Sequence, residues 1–173
     1  DVVADAFAQS ELNNVIEVGA GAWTLLSIPK FERARRVALN LCFDKVSPEL
    51  QKTAMVVGNS NALCFPDESF DCVLSCSALE HDKYFWRSTR EIRRVLRKGG
   101  LFVVGVPIYM PLPTDMAHTT LTYARHGLAY NADYYRFSEQ AVCEVFFENY
   151  AAVTHAIMVR RYPNPYLVMA GKK

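Results

Sequence analysis

The feature that most constrains the fold is a series of five short apolar runs, separated by amphipathic or turn-forming residues. The runs are VIEVGA (15–20), VALNLCFD (37–44), AMVVG (54–58), FDCVLSC (70–76) and LFVVGVPI (101–108). A strand with apolar residues on both faces is buried on both faces, which is typical of a parallel sheet covered by helices. The sequence therefore predicts an α/β fold with a mostly parallel sheet.

Amphipathic stretches between these runs predict the helices. One helix runs from Trp23 towards Pro29, a second occupies 47–53 with Ser47 as N-cap, a third covers 84–97 and stops at Gly99-Gly100, and a fourth covers 138–150 behind Ser138. Ser47 and Ser138 can cap the start of a helix with a side-chain oxygen, and Gly99-Gly100 is typical of a helix end.

The last two apolar stretches, 151–161 and 164–173, have no helix between them. Strands joined without a crossover pair antiparallel, so this hairpin is predicted to close one edge of the sheet. A chain of 173 residues fits one domain. We expect a single domain over 1–173, a three-layer α/β sandwich with a mostly parallel seven-stranded sheet ending in an antiparallel C-terminal hairpin.

A tight glycine turn follows the first strand in EVGAGA. Gly19 and Gly21 allow a ligand to approach the backbone, and Asp44 ends the second strand, where a carboxylate can bind ribose hydroxyls. This pattern fits a nicotinamide-dependent dehydrogenase, a methyltransferase and a turn without a ligand. Thr24 stands where the dinucleotide fingerprint has its last glycine, which disfavours the dehydrogenase.

The next segments carry a resemblance. GNSNALCFPDESFDCVLSCSALEH (58–81) and REIRRVLRKGGLFVV (90–104) are similar to the runs G-D-A-x-x-L-P-F-P-D-x-S-F-D, L-E-H and R-x-L-K-P-G-G. EVGAG (17–21) is similar to E-V-G-x-G-x-G. Over residues 12–108, in this order, the chain resembles the class I S-adenosylmethionine-dependent methyltransferases, with their Rossmann-like sheet.

The resemblance implies a cofactor, S-adenosylmethionine, and the residues that bind it. The glycine turn would line its methionine half, Asp44 would accept from the ribose hydroxyls, and 59–62 would lie under the adenine. The implied cofactor-binding residues are Glu17, Gly19, Ala20, Gly21, Asp44, Asn59, Ser60, Asn61, Ala62 and Ser75.

Two positions depart from the family pattern. Ala22 is assigned to the third glycine of the turn, and Asn59 replaces an aspartate that accepts from the adenine amino group. Asparagine still accepts, but without charge assistance. These departures keep open a methyltransferase-like domain that binds a partner or cofactor without catalysis.

Methyl transfer asks for an acceptor held in line, and a general base helps when the acceptor is a hydroxyl or amine. His81 and Tyr84 follow the fourth strand at the edge of the expected site and are the candidate catalytic residues. The alternative for His81 is a structural role in the loop or at the cofactor.

Residues 109–137 are expected to form a lid on the substrate side. The segment is rich in tyrosine and poor in charge, which favours a small-molecule acceptor at oxygen, nitrogen or carbon. Aromatic residues that only pack the loop are the alternative. Methylation of a macromolecule is the less favoured function, because the net charge is +1. The arginines at 87, 90, 94 and 97 share a helix face and are predicted to form a solvated surface.

The remaining expectations concern compartment and metals. No apolar stretch reaches the roughly 20 residues needed to cross a bilayer, and the N-terminus lacks the basic start of a signal peptide. Five cysteines without a CxxC pair predict reduced thiols, a cytoplasmic protein and no metal site. The chain opens on Asp1 rather than Met, which leaves a missing N-terminal segment open.

Overall fold

A computed structural model of the chain describes residues 7, 12–44, 46–109, 133–159 and 165–173, with backbone alone for 154–157. Within these ranges, seven strands form one sheet in the order β3-β2-β1-β4-β5-β7-β6. The strands are β1 (Asn14–Val18), β2 (Arg35–Asn40), β3 (Ala54–Val57), β4 (Phe70–Cys76), β5 (Leu96–Pro107), β6 (Ala152–Val159) and β7 (Tyr166–Lys172).

The first five strands run parallel, as predicted. Ile16 of β1 is in register with Val37 of β2 on one side and with Val73 of β4 on the other. The last two strands pair antiparallel, and β7 lies between β5 and β6. The mostly parallel sheet with a C-terminal hairpin is therefore confirmed.

Apolar side chains cover both faces of the sheet. One face packs beneath helix α1 (Phe85–Val95) and includes Ile16, Ile92 and Phe102. The opposite face packs beneath short turns and includes Val15 and Phe31. Successive residues of β1 thus enter different cores, because strand side chains alternate between faces. This arrangement confirms the three layers expected from continuously apolar strands.

The end of α1 differs from the prediction. The helix stops at Val95, and Leu96 has an extended backbone at φ −77° and ψ 129°. Gly99 and Gly100 lie inside β5 rather than at the helix end. Leu96 is in register with Phe70 of β4, so sheet pairing begins earlier than the glycine signal indicates.

The other predicted helices are shorter or tighter than expected. The segment after the glycine turn forms two 3₁₀ turns, Leu25–Ser27 and Pro29–Phe31, and 48–52 forms a third. Proline has no N–H to donate and disfavours a helical residue before it, which ends the first turn at Ile28. Ser47 is the N-cap residue of this turn, as predicted, and its carbonyl accepts from the Leu50 N–H at 3.0 Å, but its side chain makes no capping bond.

The predicted helix over 138–150 is helical over a shorter range. Helix α2 (Glu139–Ala141) continues as a π-helical turn over Val142–Phe146. The Ser138 hydroxyl accepts from the Ala141 N–H at 3.0 Å, which confirms that cap. Phe146 is buried against the same core as α1.

The arginines of α1 are engaged with neighbouring groups. Arg94 lies 2.7 Å from a carboxylate oxygen of Asp67 and donates to Glu91, and Arg97 lies 2.9 Å from Asp71. The Arg87 guanidinium lies 5.0 Å from the ring centre of Tyr84. Arg87, Arg90 and Arg94 lie on α1, but Arg97 lies in β5, so the prediction that all four share a helix face is wrong at Arg97.

Candidate cofactor and acceptor site

A cavity of about 680 Å³ opens at the carboxyl ends of β1, β2 and β4. This volume is in the range of small-molecule sites, and the ends of parallel strands are where open α/β sheets bind ligands. Most of the residues singled out from the sequence line it: Gly19, Gly21, Asp44, Asn59, Ser60, Asn61, His81 and Tyr84. Thus residues far apart in sequence meet at one cavity.

The glycine turn after β1 is closely packed. Gly19 has φ +90°, and a Cβ placed on it would lie 2.3 Å from the Cβ of Ala78. Its N–H donates to the Leu39 carbonyl at 2.8 Å. The backbone therefore reaches the cavity edge at a position that only glycine can occupy. Glycine is thus required here by packing against Ala78, and the turn borders the cavity in which a ligand would bind.

Glu17 anchors the turn from behind. Its side chain is 4% exposed, and Oε2 accepts from the Thr24 hydroxyl at 2.5 Å and from the Leu25 N–H at 3.0 Å. Burial raises the pKa of this carboxyl. Among the described residues, Glu17, Ala20, Ala62 and Ser75 do not line the cavity. Contact between these four residues and a ligand stays a prediction.

Asp44 lies at the cavity, but not where the strand pattern placed it. Strand β2 ends at Asn40, and Asp44 follows in an exposed turn. The Asn40 side chain donates to the Ala20 carbonyl at 2.7 Å and accepts from the Leu41 N–H at 2.8 Å. These bonds turn the chain out of the sheet, so the prediction that β2 reaches Asp44 is wrong. Asn40 itself carried no motif in the sequence.

The turn at 59–62 is tied to the start of α1. Asn59 Oδ1 accepts from the Asn61 N–H at 2.8 Å. The Asn61 amide donates to Asp82 at 2.6 Å and to Ser88 at 2.9 Å. These partly buried hydrogen bonds of the Asn61 amide hold the loop against the start of the helix. Asn59 uses one lone pair of Oδ1 in the turn and retains the other for a ligand.

His81 stands at the mouth of the cavity between two acidic side chains. Its Nε2 lies 3.8 Å from Glu80 Oε1, and its Nδ1 lies 4.0 Å from Asp133 Oδ1. The Arg136 guanidinium donates two hydrogen bonds, of 2.6 and 2.7 Å, to the two carboxylate oxygens of Asp133. Burial raises the pKa of Glu80 to about 7, and its Oε2 has no hydrogen-bond partner among the described groups.

The segment 133–136 packs against the residues around Glu80 and Lys83. The N–H groups of Tyr134 and Tyr135 donate to the Glu80 carbonyl, and the Tyr135 hydroxyl donates to the Lys83 carbonyl at 2.8 Å. Tyr134 and Lys83 also line the cavity. Tyr134 belongs to the segment predicted as the substrate-side lid, whereas the sequence did not indicate Lys83, because its bond to Tyr135 joins positions 52 residues apart.

Ser77 is a further cavity residue that the sequence did not indicate. It has φ +51°, which is unusual for a residue with a side chain. Its hydroxyl lies 2.8 Å from that of Tyr166 on β7. The predicted lid adjoins this region, but 110–132 lie outside the described residues.

The third glycine of the family turn requires a correction. Counting E-V-G-x-G-x-G from Glu17 places that glycine at Trp23, so its assignment to Ala22 is wrong by one residue. Trp23 lines the cavity and is 91% exposed. The departure from the family is therefore the replacement of glycine by the largest side chain.

Comparison with known proteins establishes the family. Residues 16–104 match the family model described as a methyltransferase domain, which is more than half of the chain. The chain belongs to this methyltransferase family, and it is an S-adenosylmethionine-dependent methyltransferase. No curated protein sequence matches it significantly.

Solved structures share the fold at low sequence identity. The 1,6-didemethyltoxoflavin-N1-methyltransferase of Burkholderia thailandensis, solved with that compound and S-adenosylhomocysteine, has 20% identity and a TM-score of 0.73, covering 99% of this chain and 75% of that one. A putative methyltransferase of Bacillus halodurans has 14% identity and a TM-score of 0.70, covering 99% and 98%. Phosphoethanolamine N-methyltransferase 2 of Haemonchus contortus has 12% identity and a TM-score of 0.73, covering 99% and 51%.

The described residues contain no cluster of three or more histidine, cysteine or acidic side chains that could hold a metal. None of their helices is long and apolar enough to cross a bilayer. The structure shows all five cysteines as free thiols, and burial raises the pKa of Cys76 to about 12.

Proposed function

We propose that this methyltransferase transfers the methyl group to an oxygen, nitrogen or carbon atom of a small molecule by in-line displacement. The observation that carries the proposal is the single cavity onto which the glycine turn, Asp44, the 59–61 turn and His81 all open. When bound, S-adenosylmethionine supplies a methyl group already activated by its sulfonium. The chain then has to hold the reactants, exclude water and, for some acceptors, take a proton.

The cofactor half of the cavity would be formed by residues from three strand ends. The Gly19–Gly21 turn offers a close backbone surface, the Asp44 carboxylate would accept from the ribose, and Asn59 would accept from the adenine amino group. Glu17 would act by keeping the turn rigid through Thr24. These roles follow the family pattern, and the positions of the side chains around one cavity support them.

His81 is the candidate general base. It lines the mouth with about a fifth of its side chain exposed, and Asp133 lies behind its Nδ1. A carboxylate in that position orients an imidazole and stabilises the protonated ring. Tyr84 lies at the same mouth and could bind the acceptor through its ring or hydroxyl. A carbon acceptor also loses a proton when it is methylated, so a base in this position would serve that acceptor as well.

A small acceptor is favoured by the character of the mouth. The rings of Tyr84 and Tyr134 flank it, which suits an aromatic, sugar-like or apolar molecule. Arg94 and Arg97 are paired with acidic side chains and do not form an open basic groove. We retain 109–137 as the substrate-side lid of a single domain, on the evidence that Tyr134 at its end lies at the mouth.

The first experiment is isothermal titration with S-adenosylmethionine and S-adenosylhomocysteine, with Asp44→Ala as the matched variant. We expect micromolar binding to the unaltered chain and at least tenfold weaker binding to the variant, because two hydrogen bonds to a charged acceptor are lost. Equal binding to both would remove Asp44 from the site. No binding at millimolar cofactor would favour the alternative of a binding domain without turnover.

Acceptor screening follows once binding is measured. Sugars, phenols and amines are incubated with labelled S-adenosylmethionine, and a large excess of RNA and of unfolded protein is tested in parallel. His81→Asn should lower kcat by 100-fold or more for a hydroxyl or amine acceptor while cofactor affinity is unchanged. Turnover of only the macromolecules would overturn the small-molecule proposal.

A further inference from the structure

Trp23 is an unusual residue at this site because its indole is almost entirely in water. It is 91% exposed, more than any other large apolar side chain in the described ranges. It lies on the rim of the cavity, at the position of the third family glycine. Tryptophan side chains are largely buried on average. An indole that is almost fully exposed beside a ligand cavity therefore indicates a role in binding.

The backbone that carries Trp23 is held on both sides. The Gly21 N–H donates to the Trp23 carbonyl at 3.3 Å, and the Gly21 carbonyl accepts from the Ser47 N–H at 3.3 Å. On the other side, the Thr24 hydroxyl is bonded to Glu17. The main chain is therefore fixed near the cavity, and rotation about the side-chain bonds can move the indole without disturbing the turn.

The neighbouring rim is also apolar. Leu41 is 54% exposed and lines the same cavity, followed by Cys42 and the carboxylate of Asp44. Trp23 and Leu41 are thus two exposed apolar side chains that line the cavity, and a ligand bound there would cover apolar surface. The family of the chain and the position of the glycine turn at this cavity favour the cofactor as that ligand.

We infer that Trp23 closes over the bound cofactor, packing its indole on the ligand and shielding it from water. The inference rests on the proposed position of the cofactor in this cavity. An indole buries about 150–250 Å² when covered, and apolar burial strengthens binding roughly in proportion to area. Partial burial of the ring would account for at least about a tenfold gain in affinity for the cofactor. This gain would offset the charge-assisted hydrogen bond that the chain lacks because Asn59 replaces the family's aspartate.

Tryptophan fluorescence can test this directly, since the chain has two tryptophans. Trp86 is 38% exposed and packs edge-to-face on Phe85, a contact that phenylalanine would keep. The Trp86→Phe chain therefore reports on Trp23 alone. It is titrated with S-adenosylhomocysteine, which cannot transfer a methyl group, and calorimetry on the same sample gives the Kd independently.

We expect the Trp23 emission to shift to shorter wavelength and to saturate at the calorimetric Kd. Trp23→Ala should weaken binding about tenfold or more, Trp23→Phe should stay within about threefold, and Trp86→Phe should bind like the unaltered chain. The exposed position of Trp23 means that the free variants should fold normally, which circular dichroism checks.

Two results would overturn the inference while leaving the cofactor site intact. One is calorimetric binding with no change in Trp23 emission, and the other is Trp23→Ala binding within twofold of the unaltered chain. Absence of heat and of any emission change in the unaltered chain would instead refute the site, and the role of Trp23 with it.

Discussion

Replacement of Glu80 by glutamine should change how stability depends on pH. Glu80 is 4% exposed, and burial raises its pKa from 4.5 to about 7. As the pH rises from 4.5 to 7, the unfolded chain loses this proton while the folded chain keeps it. The unfolded state is thereby favoured by about 1.4 kcal/mol per pH unit, and the total penalty reaches about 3 kcal/mol above pH 7.

Glutamine removes the titration and leaves the shape nearly unchanged. Oε2 of Glu80 has no hydrogen-bond partner among the described groups. The amide group of glutamine would be buried at the same place without a partner, which adds a pH-independent cost of about 1–3 kcal/mol. The free energy of unfolding is therefore measured for the unaltered chain and for Glu80→Gln at each pH. The test is whether the difference between the two values changes with pH. We expect the Glu80→Gln chain to gain about 3 kcal/mol relative to the unaltered chain between pH 4.5 and pH 8.

Urea denaturation at intervals of half a pH unit measures this difference, with Glu148→Gln as the control for loss of an exposed carboxylate. Arg136 lowers the pKa of Glu80 and Asp133 raises it, so both must stay in place. A difference that stays flat within about 0.5 kcal/mol across the range would show that the carboxyl ionises as in the unfolded chain. The reasoning from burial would then be refuted.

Two further predictions concern packing. In urea denaturation, Gly19→Ala should lower the free energy of unfolding by at least about 2 kcal/mol more than Gly99→Ala does. Both positions have positive φ, but only Gly19 would place its Cβ against Ala78. Equal losses at the two positions would contradict the packing argument. Arg94→Lys should lose about 2 kcal/mol, since a single ammonium cannot replace a guanidinium that bonds two carbonyls and two carboxylates. The exposed Arg90→Lys on the same helix is its control, and a similar loss there would mean that the bonds of Arg94 contribute little.

The strands were predictable because a strand that is buried on both faces is a continuous run of apolar residues in the sequence. The run at 70–76 became β4 with the same bounds, and 54–58 became β3 within one residue. Helices were less predictable, because their ends depend on competing partners. The turn after Gly21 is held by the buried carboxylate of Glu17, and α1 gives way to sheet pairing at Leu96.

The site was predictable in outline for a similar reason. Gly19 and Asp44 were found because their roles require particular residue types in the turns that follow β1 and β2. Asn40 was missed because the Ala20 carbonyl to which it donates lies 20 residues away, and Lys83 was missed because its backbone carbonyl accepts from Tyr135, 52 residues away. Ser77 was missed because its partner, Tyr166, lies 89 residues away.

The sequence by itself determined the family, the parallel strands and the glycine turn, since each depends on residue type and local spacing. Tertiary structure alone decided which side chains meet. The sheet order brings the 133–136 segment onto Glu80 and places Asp133 behind His81. It also leaves Trp23 on the cavity rim. Such contacts depend on the packing of elements distant in sequence, and no local pattern records them.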